Sequence, residues 1–509
     1  MITMNKTKIE KIIAIAKRRG FIFPTAEIYG GFSGFYDYGP LGCRMKNKIE
    51  KSWRDFFLDE NVFEISTRTI MPEVVWEASG HLKSFVDPLT QCKSCKSMFR
   101  ADNLIEEASG EFVEGLEPER LTELIKEKKI ACPRCGGELS DVRVFNLMLK
   151  TFVGPVESSV ANAYLRPETA QGMFTNFSSV AKAMRAKLPF GIAQVGISYR
   201  NEISPRQWII RLREFNQMEI EMFVHPKRLN ECERFAEVAK TKLRLLTHEQ
   251  QKRGGDAVEI TAEEAVAKGL LPNKWMAFFL AKEILWYHSL GIPLHALRHR
   301  HMLPEETPHY SKGNFDMEIK FDFGWKEVVG NAYRTDFDLQ THMKHSGKDL
   351  TLVDSAGEKI VPHVIEPSFG IERTFYGVLL YCFRESDKER DWSWFAFPPK
   401  IAPYTAAIFP LVNKDGLPEK AKDVYNQLKQ CYDVYYDDSG SIGKRYARAD
   451  EIGCVTTLTI DYQTLKDDTL TIRDRDTTQQ IRVHIKDLKN ILWKILEGEK
   501  LEKLGILIK

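Results

Sequence analysis

The feature that most constrains this chain is a pair of long β-forming runs, LPFGIAQVGISYRNE and LREFNQMEIEMFV, joined across YRNEISPRQWIIRLREF (199–215). Runs rich in β-branched and aromatic residues on either side of a turn-forming segment predict a β-hairpin with long strands. Its loop concentrates charge. Arg200 and Glu202 alternate with Tyr199 and Asn201, so both can face one side. Arg211 opens the return strand and can face the same cleft, Phe215 adds an apolar plate, and Pro205, Arg206 and Trp208 lie between. A planar guanidinium binds phosphate oxygens bidentately, and a nearby carboxylate can accept a hydrogen bond from an exocyclic amine such as that of adenine. The set has the chemistry to hold ATP, although charge on a hairpin loop is more often just a solvated face. No GxxxxGK[ST] occurs in the chain, which excludes the commonest phosphate-binding loop.

A length of 509 residues suggests about three domains at roughly 150 residues each. The net charge of +2 supplies no strong overall field, so a nucleic-acid partner has to be met by local patches. The lysine-rich start, MITMNKTKIEKIIAIAKRRG, reads as an amphipathic helix over 5–19 and not as a signal peptide. No run of about 18 apolar residues predicts a membrane span. Nine cysteines, four of them in two CxxC pairs, fit a reducing cytoplasm better than a secreted disulfide framework.

A glycine- and aromatic-rich turn, GGFSGFYDYGPLG, precedes a helix over 44–60 with Ile49, Trp53, Phe56 and Phe57 on its apolar face. NVFEISTRTIMP (61–72) reads as a strand ending at Pro72. Residues 90–145 read as an inserted module, and 227–295 as a helical insertion. Strands return over 317–333, and 365–383 reads as strand, turn and helix. PPKIAPY (398–404) reads as a linker to an α/β domain over 400–509. In the module, Cys92-x-x-Cys95 and Cys132-x-x-Cys135 suit a tetrahedral Zn²⁺ of four thiolates, a structural site with no open position. The alternative is four free cysteines in a module without metal.

Arg-x-Glu, a loop, then Arg-x-x-x-Phe resembles motif 2 of the class II aminoacyl-tRNA synthetases. FGIERTF (369–375) resembles motif 3, with Arg373 as its arginine, and the strand ending at Pro72 resembles motif 1, the dimer-forming element. GGFSGFYDYGPLG, STRTIMPEVVWEASGH (66–81), YLRPETAQG (164–172), YRTDFDL (333–339) and HVIEPSFGIER (363–373) follow in the order of the homodimeric glycyl-tRNA synthetase family, which the chain resembles from about residue 8 to its C-terminus. The resemblance implies an α+β fold: an antiparallel β-sheet catalytic core flanked by helices, with the CxxC module, the helical insertion and a C-terminal anticodon-binding domain. Residues 1–89 would carry motif 1 and the first part of the catalytic domain, and 146–397 the core with motifs 2 and 3.

The resemblance also implies a reaction. Glycine would be activated by ATP, with Mg²⁺ as cofactor, and passed to the 3′ end of tRNA(Gly) by a cytoplasmic homodimer without membrane contact. Arg200 and Arg373 would be catalytic. Arg200 would hold the α-phosphate and the glycine carboxylate, and Glu202 would read adenine between Phe215 and Arg373. Arg211 would take the γ-phosphate end of a bent ATP, and Glu327 would ligate Mg²⁺. Asn201, Ile210, Leu212, Arg213, Glu214, Val328, Gly370, Ile371 and Glu372 complete the expected ATP set. Arg100, Glu168, Phe215, Gln217, Glu219, Glu366, Ser368 and Gly370 form the expected glycine pocket. Carboxylates around one ammonium favour a cation and fill the space a side chain would need, so larger amino acids are rejected by clash and no editing domain is called for. Lys444, Arg445 and Arg448 would face tRNA phosphates, and Tyr435, Tyr436 and Tyr446 could stack on unpaired bases. Two other readings remain at this stage: a synthetase-like RNA-binding or accessory protein without catalysis, and a synthetase for another amino acid such as threonine or proline. Retention of Arg200, Glu202, Arg211 and Arg373 weighs against the first, and the crowded acids weigh against the second.

Overall fold

The computed structural model describes residues 7–508 apart from 112, 114, 156–161, 206, 308–310, 355 and 389; Arg206 of the charged loop therefore lies outside the described residues, as do Asn5 and Lys6 of the helix expected over 5–19. Nine strands make the central sheet: β1 (Val62–Glu64), β2 (Phe190–Tyr199), β3 (Glu214–Val224), β4 (Lys242–Leu246), β5 (Val258–Thr261), β6 (Leu297–His301), β7 (Asn314–Phe321), β8 (Gly324–Thr335) and β9 (His363–Gly370). Their order is β5-β4-β6-β7-β8-β9-β3-β2-β1. Every pairing is antiparallel except β1 with β2 and β4 with β6. The expected hairpin is β2–β3, registered from Phe190↔Phe223 to Tyr199↔Glu214.

Strand alternation sorts β3 into two faces. Met218, Ile220 and Met222 enter the main core with Trp53 and Phe57 of α2 (Pro40–Phe57) and Trp286 of α4 (Lys274–Ser289). Phe369 of β9 meets Trp53 at 5.8 Å and Phe57 at 5.0 Å between ring centroids. On the other face Phe223 packs with Phe174 and Phe177 of α3 (Ala170–Met184), leaving Phe215, Gln217 and Glu219 toward an open cleft. α1 (Lys8–Arg19) begins with a Thr7–Glu10 capping box. At the start of α2 a Cβ on Gly42 would lie 1.9 Å from the Phe21 carbonyl oxygen, so only glycine lets that helix sit there.

Two expectations are corrected. The segment 227–295 is not simply helical. KLRLL is β4, with Leu243 and Leu245 fully buried, and with β5 it extends the central sheet instead of standing apart. Alternate burial of leucines overrides their helix propensity. NVFEISTRTIMP is two short strands, not one: β1 joins β2, and Ile70–Pro72 joins Asn162–Leu165. Between them the backbone is held by side chains, with the Thr67 hydroxyl donating to Gln194 at 2.8 Å and Arg166 Nη1 donating to the Thr67 carbonyl at 3.1 Å.

The C-terminal part forms a six-stranded sheet from β10 (Ala406–Pro410), β11 (Val434–Tyr436), β12 (Thr456–Ile460), β13 (Thr469–Asp474), β14 (Gln480–His484) and β15 (Ile506–Ile508), in the order β11-β10-β12-β13-β14-β15. β10 pairs in parallel with β11 and β12, and the remaining pairings are antiparallel. The linker is packed, not loose: Ile401 and Ala402 are buried, and Lys48 of α2 donates to the Ala402 carbonyl at 2.7 Å.

Candidate functional site

The cleft on the β3 face has a volume of about 350 Å³. Its outer part is built by the hairpin loop and the start of α6 (Ile371–Cys382). The Arg200 guanidinium lies over two rings, 5.4 Å from Phe85 and 5.2 Å from Phe215, and its Nε donates to the Pro167 carbonyl at 3.2 Å. Two aromatic contacts restrict its plane at the cleft wall that it lines. Arg373, on the first turn of α6, donates through Nε to the Ile210 carbonyl at 3.1 Å and through Nη1 to Glu327 Oε2 at 3.0 Å. Arg211 Nε stands 3.8 Å from Glu202 Oε2. Removal from water opposes ionisation of Glu327, but Arg373, Arg200 and Arg211 together hold its carboxyl below the usual range.

The inner part is acidic and enclosed. Glu168, Glu219 and Glu366 line it with Gln217 and Ser368. Ser198, Gln217 and Ser368 form a hydrogen-bonded chain, at 2.5 and 3.2 Å. Thr169 donates to Glu219. Burial, then the charge of Glu168, raises the Glu219 pKa, and burial raises that of Glu366 well above the ordinary value against the pull of Arg334. Glu168 goes the other way. Burial opposes its charge, yet His81 at 3.4 Å and the Arg334 guanidinium hold it well below the carboxylate range. The enclosed end therefore carries one firmly ionised acid and two whose charge is held back, an arrangement that a cation would complete.

The structure brings most of the expected residues together. Arg200, Glu202, Ile210, Arg211, Leu212, Phe215, Glu327, Val328, Gly370, Glu372 and Arg373 line the outer cleft, and Glu168, Gln217, Glu219, Glu366 and Ser368 the inner end. Asn201, Arg213, Glu214, Ile371 and Arg100 are not among the lining residues. For Glu214 the pleat is the reason, because it sits one residue out of phase with Phe215, Gln217 and Glu219. Arg213 is committed to carbonyls of Glu202 and Ser33, at 3.0 and 2.8 Å. Ile371 is fully buried in the core, and Arg100 pairs with Asp87 at 3.1 Å and with Asp102.

Sequence reasoning missed Arg334, His81, Thr169, Asn314 and Asp316. Arg334, Thr169 and His81 lie inside YRTDFDL, YLRPETAQG and STRTIMPEVVWEASGH, so for these three the motifs themselves were an available signal. Asp316 had none, since it reaches the cleft only because β7 pairs with β8. Its pKa is raised well above the ordinary value by burial and then by Glu327. Asp316 and Glu327 line one wall with Asn314, whose buried Oδ1 has no hydrogen-bond partner among the described residues. This oxygen set suits a hard divalent cation.

In the C-terminal domain the expected RNA contacts divide. Lys444 is exposed on α8 (Ile442–Glu451). Arg445 is buried at 2 % exposure, with its guanidinium on the carbonyls of Pro410 and Gly440, so it holds the fold and does not face phosphates. Arg448 is drawn to Asp437 at 2.6 Å and to the Ser439 carbonyl. The half-buried Tyr435 ring packs on Tyr404 at 4.7 Å, and the Tyr446 ring packs on Phe409 at 5.8 Å with the Arg473 guanidinium 5.0 Å from it, so both rings are engaged within the domain and not free for base stacking. The Tyr436 hydroxyl donates to Asp438 at 3.0 Å. Cys92, Cys95, Cys132 and Cys135 do come together, away from this cleft.

An antiparallel sheet that holds one arginine on its hairpin and another on the helix after its last strand, with no phosphate-binding loop, defines a class II aminoacyl-tRNA synthetase core. Consistent with this, residues 156–380 match the tRNA synthetase class II core domain (G, H, P, S and T), and residues 405–495 match the anticodon binding domain. The chain is 44% identical to the glycine–tRNA ligase of Pyrococcus abyssi, over 96% of this chain and 99% of that protein. It is 41% identical to that of Aeropyrum pernix over 99% and 100%, and 41% identical to that of Methanothrix thermoacetophila over 96% and 97%. The chain belongs to the glycine–tRNA ligase family.

Proposed function

We propose that this chain activates glycine with ATP, releasing pyrophosphate, and transfers the glycyl group from AMP to the 3′ end of tRNA(Gly). The observation that carries the reading is the continuity of one cleft from the two arginines to the closed acidic end. A carboxylate oxygen of glycine forms a bond to the α-phosphorus of ATP, and the bond from that phosphorus to the bridging oxygen of pyrophosphate breaks. Attack at phosphorus needs alignment and neutralised charge more than covalent help from the protein. Arg200, fixed by Phe85 and Phe215, supports both the glycine carboxylate and the α-phosphate. Arg373 and Phe215 flank adenine, Glu202 accepts from its amine, and Arg211 meets the terminal phosphate. Glu219, Glu366 and Glu168 surround the ammonium, with Ser368 beside them. Mg²⁺, when bound, neutralises phosphate charge, and Asp316, Glu327 and Asn314 are the residues that would hold it.

The same reading assigns Lys444 to tRNA. It also makes the functional unit a homodimer through the motif 1 segment. β1 forms one end of the nine-stranded sheet, and Ile70 and Val74 along that segment are 48% and 50% exposed. Sedimentation giving a monomer at micromolar concentration would rule that out. Among the described residues no helix is long and apolar enough to cross a membrane. The nine cysteines form no disulfide, and the reading places the chain in a reducing cytoplasm.

The experiment is amino-acid-dependent exchange of pyrophosphate into ATP, with each of the twenty amino acids offered separately, with Mg²⁺ and without tRNA. Exchange with glycine alone is expected. Exchange with another amino acid would overturn the pocket, and silence with all twenty would overturn the enzyme.

A further inference from the structure

Outside the cleft, the most organised group of reactive side chains is Cys92, Cys95, Cys132 and Cys135, whose sulfurs all lie within 4.8 Å of one another. Cys92 and Cys135 Sγ are 3.5 Å apart, and Cys95 and Cys132 Sγ 3.7 Å. Four thiolates around one Zn²⁺, at about 2.3 Å each, stand about 3.8 Å from one another. The two arms are built alike. In each, the first cysteine donates its N–H to a carbonyl further along: Cys92 to Ser97 at 2.8 Å, Cys132 to Gly137 at 2.9 Å. In each, the residue after the second cysteine donates back to the first: Lys96 to Cys92 at 3.1 Å, Gly136 to Cys132 at 2.8 Å. Lys96 and Gly136 both have positive φ, 61° and 72°. A lysine there is held in a sparsely populated conformation, which persists only where something fixes it. A Cβ on Gly137 would lie 3.1 Å from Cys92 Sγ, so the second arm must present bare backbone to the first.

The quartet is also connected to the cleft. Strand Val86–Gln91 leads into Cys92, and Phe85 just before it carries the Arg200 guanidinium. Strand Arg143–Asn146 pairs with it, and the next residue, Leu147, accepts the Asn201 N–H at 2.8 Å. Strand Met98–Arg100 follows the first arm, and the Ser204 hydroxyl donates to the Met98 carbonyl at 3.4 Å. Three strands extending from the quartet therefore meet Arg200, Asn201 and Ser204 on the outgoing limb of the hairpin loop.

We propose that the four cysteines bind one structural Zn²⁺ and that this ion braces the ATP-binding limb of the catalytic cleft. The bracing half rests on the role given to Arg200 above; the metal half does not.

The test uses the full chain, purified without chelator from zinc-supplemented medium. Elemental analysis is expected to give one zinc per chain, and Co²⁺ replacement to give the absorption of a tetrahedral thiolate site. The double variant C132S/C135S is expected to lose the metal. Its KM for ATP in glycine-dependent exchange should rise on the order of tenfold or more, with the KM for glycine changed less. Because that variant can lose the fold of its module, Phe85→Leu serves as the second: it should keep one zinc and still raise the KM for ATP. Failure to bind zinc or cobalt with all four thiols titratable overturns the site. Zinc present, with the KM for ATP unmoved in both variants, overturns the bracing. No exchange with any amino acid from zinc-loaded protein sinks the glycine reading and the bracing with it, while the metal count still decides the site.

Discussion

Arg334 and Glu366 meet at 3.0 Å inside the molecule, both nearly without solvent contact, while the other edge of the same guanidinium clasps Asp338 at 2.7 and 2.9 Å. One cation thus ties the acidic end of the cleft to α5 (Phe337–Ser346). Replacing Arg334 with Ala leaves three buried carboxyls, Glu168, Asp338 and Glu366, without their shared partner. The expected loss is about 3–5 kcal/mol of stability, as for other broken buried pairs, read by denaturant unfolding. Arg334→Lys keeps the charge but not the fork, and should fold with a raised KM for glycine.

Glu219→Gln keeps the volume of the pocket and removes a charge from around the ammonium. Hydrogen bonds to charged groups contribute about 1.5–3 kcal/mol, so the KM for glycine should rise about 10- to 100-fold. The KM for ATP should stay nearly unchanged, since Glu219 lies at the closed end. Equal changes in both would show that the pocket assignment is wrong.

The same acids predict a pH dependence. Burial, then Glu168, raises Glu219, and burial raises Glu366, so without ligand both hold their protons to higher pH than an ordinary carboxyl. A bound ammonium favours the ionised forms, so glycine binding must expel those protons. Its KM should fall as pH rises toward the raised pKa values and level off above them. Calorimetric heats that vary with the ionisation enthalpy of the buffer would report the released proton. A KM flat across about pH 5–9 would contradict the assignment.

Arg200→Lys retains positive charge but loses the planar fork that packs on Phe85 and Phe215. The exchange rate at saturating substrates should drop by about 10²–10³, the scale of losing a preorganised donor at a developing charge. A drop in affinity alone would place Arg200 in binding and not in catalysis.

In the C-terminal domain two neighbouring cations should behave oppositely. Arg445→Ala strands the carbonyls of Pro410 and Gly440 and should destabilise the fold by about 1–3 kcal/mol. Lys444→Ala should leave stability unchanged, weaken tRNA binding and reduce its salt slope by about 1. Binding titrations at several salt concentrations, beside melting curves, separate the two.

What was legible in the sequence was local. Arg200, Glu202, Arg211 and Phe215 sit on one hairpin whose alternation is written in IAQVGISY and FNQMEIEMFV, and Arg373 follows a strand-to-helix turn. The pleat that places Phe215 in the cleft also excludes Glu214, and this too could have been read. Residues that arrive from elsewhere could not. Asp316 and Asn314 reach the cleft only through the β7–β8 register. Arg445 looked like a phosphate contact because charge reads as surface, while its burial depends on β10 passing beside it. KLRLL was misread because five residues carry too little periodicity to separate strand from helix.

The domain junction has a consequence of its own. Glu451 of α8 is gripped by Arg18 and Arg19, Arg44 of α2 pairs with Asp433 at 2.6 Å, and buried Arg475 holds the carbonyls of Gly453 and Phe397. The surface that would read an anticodon is thus fastened to helices lying behind the catalytic sheet. An RNA touching both places would have to match the span between them, so the molecule would then work as a caliper, and a transfer RNA of the wrong length or bend would fail at one jaw or the other.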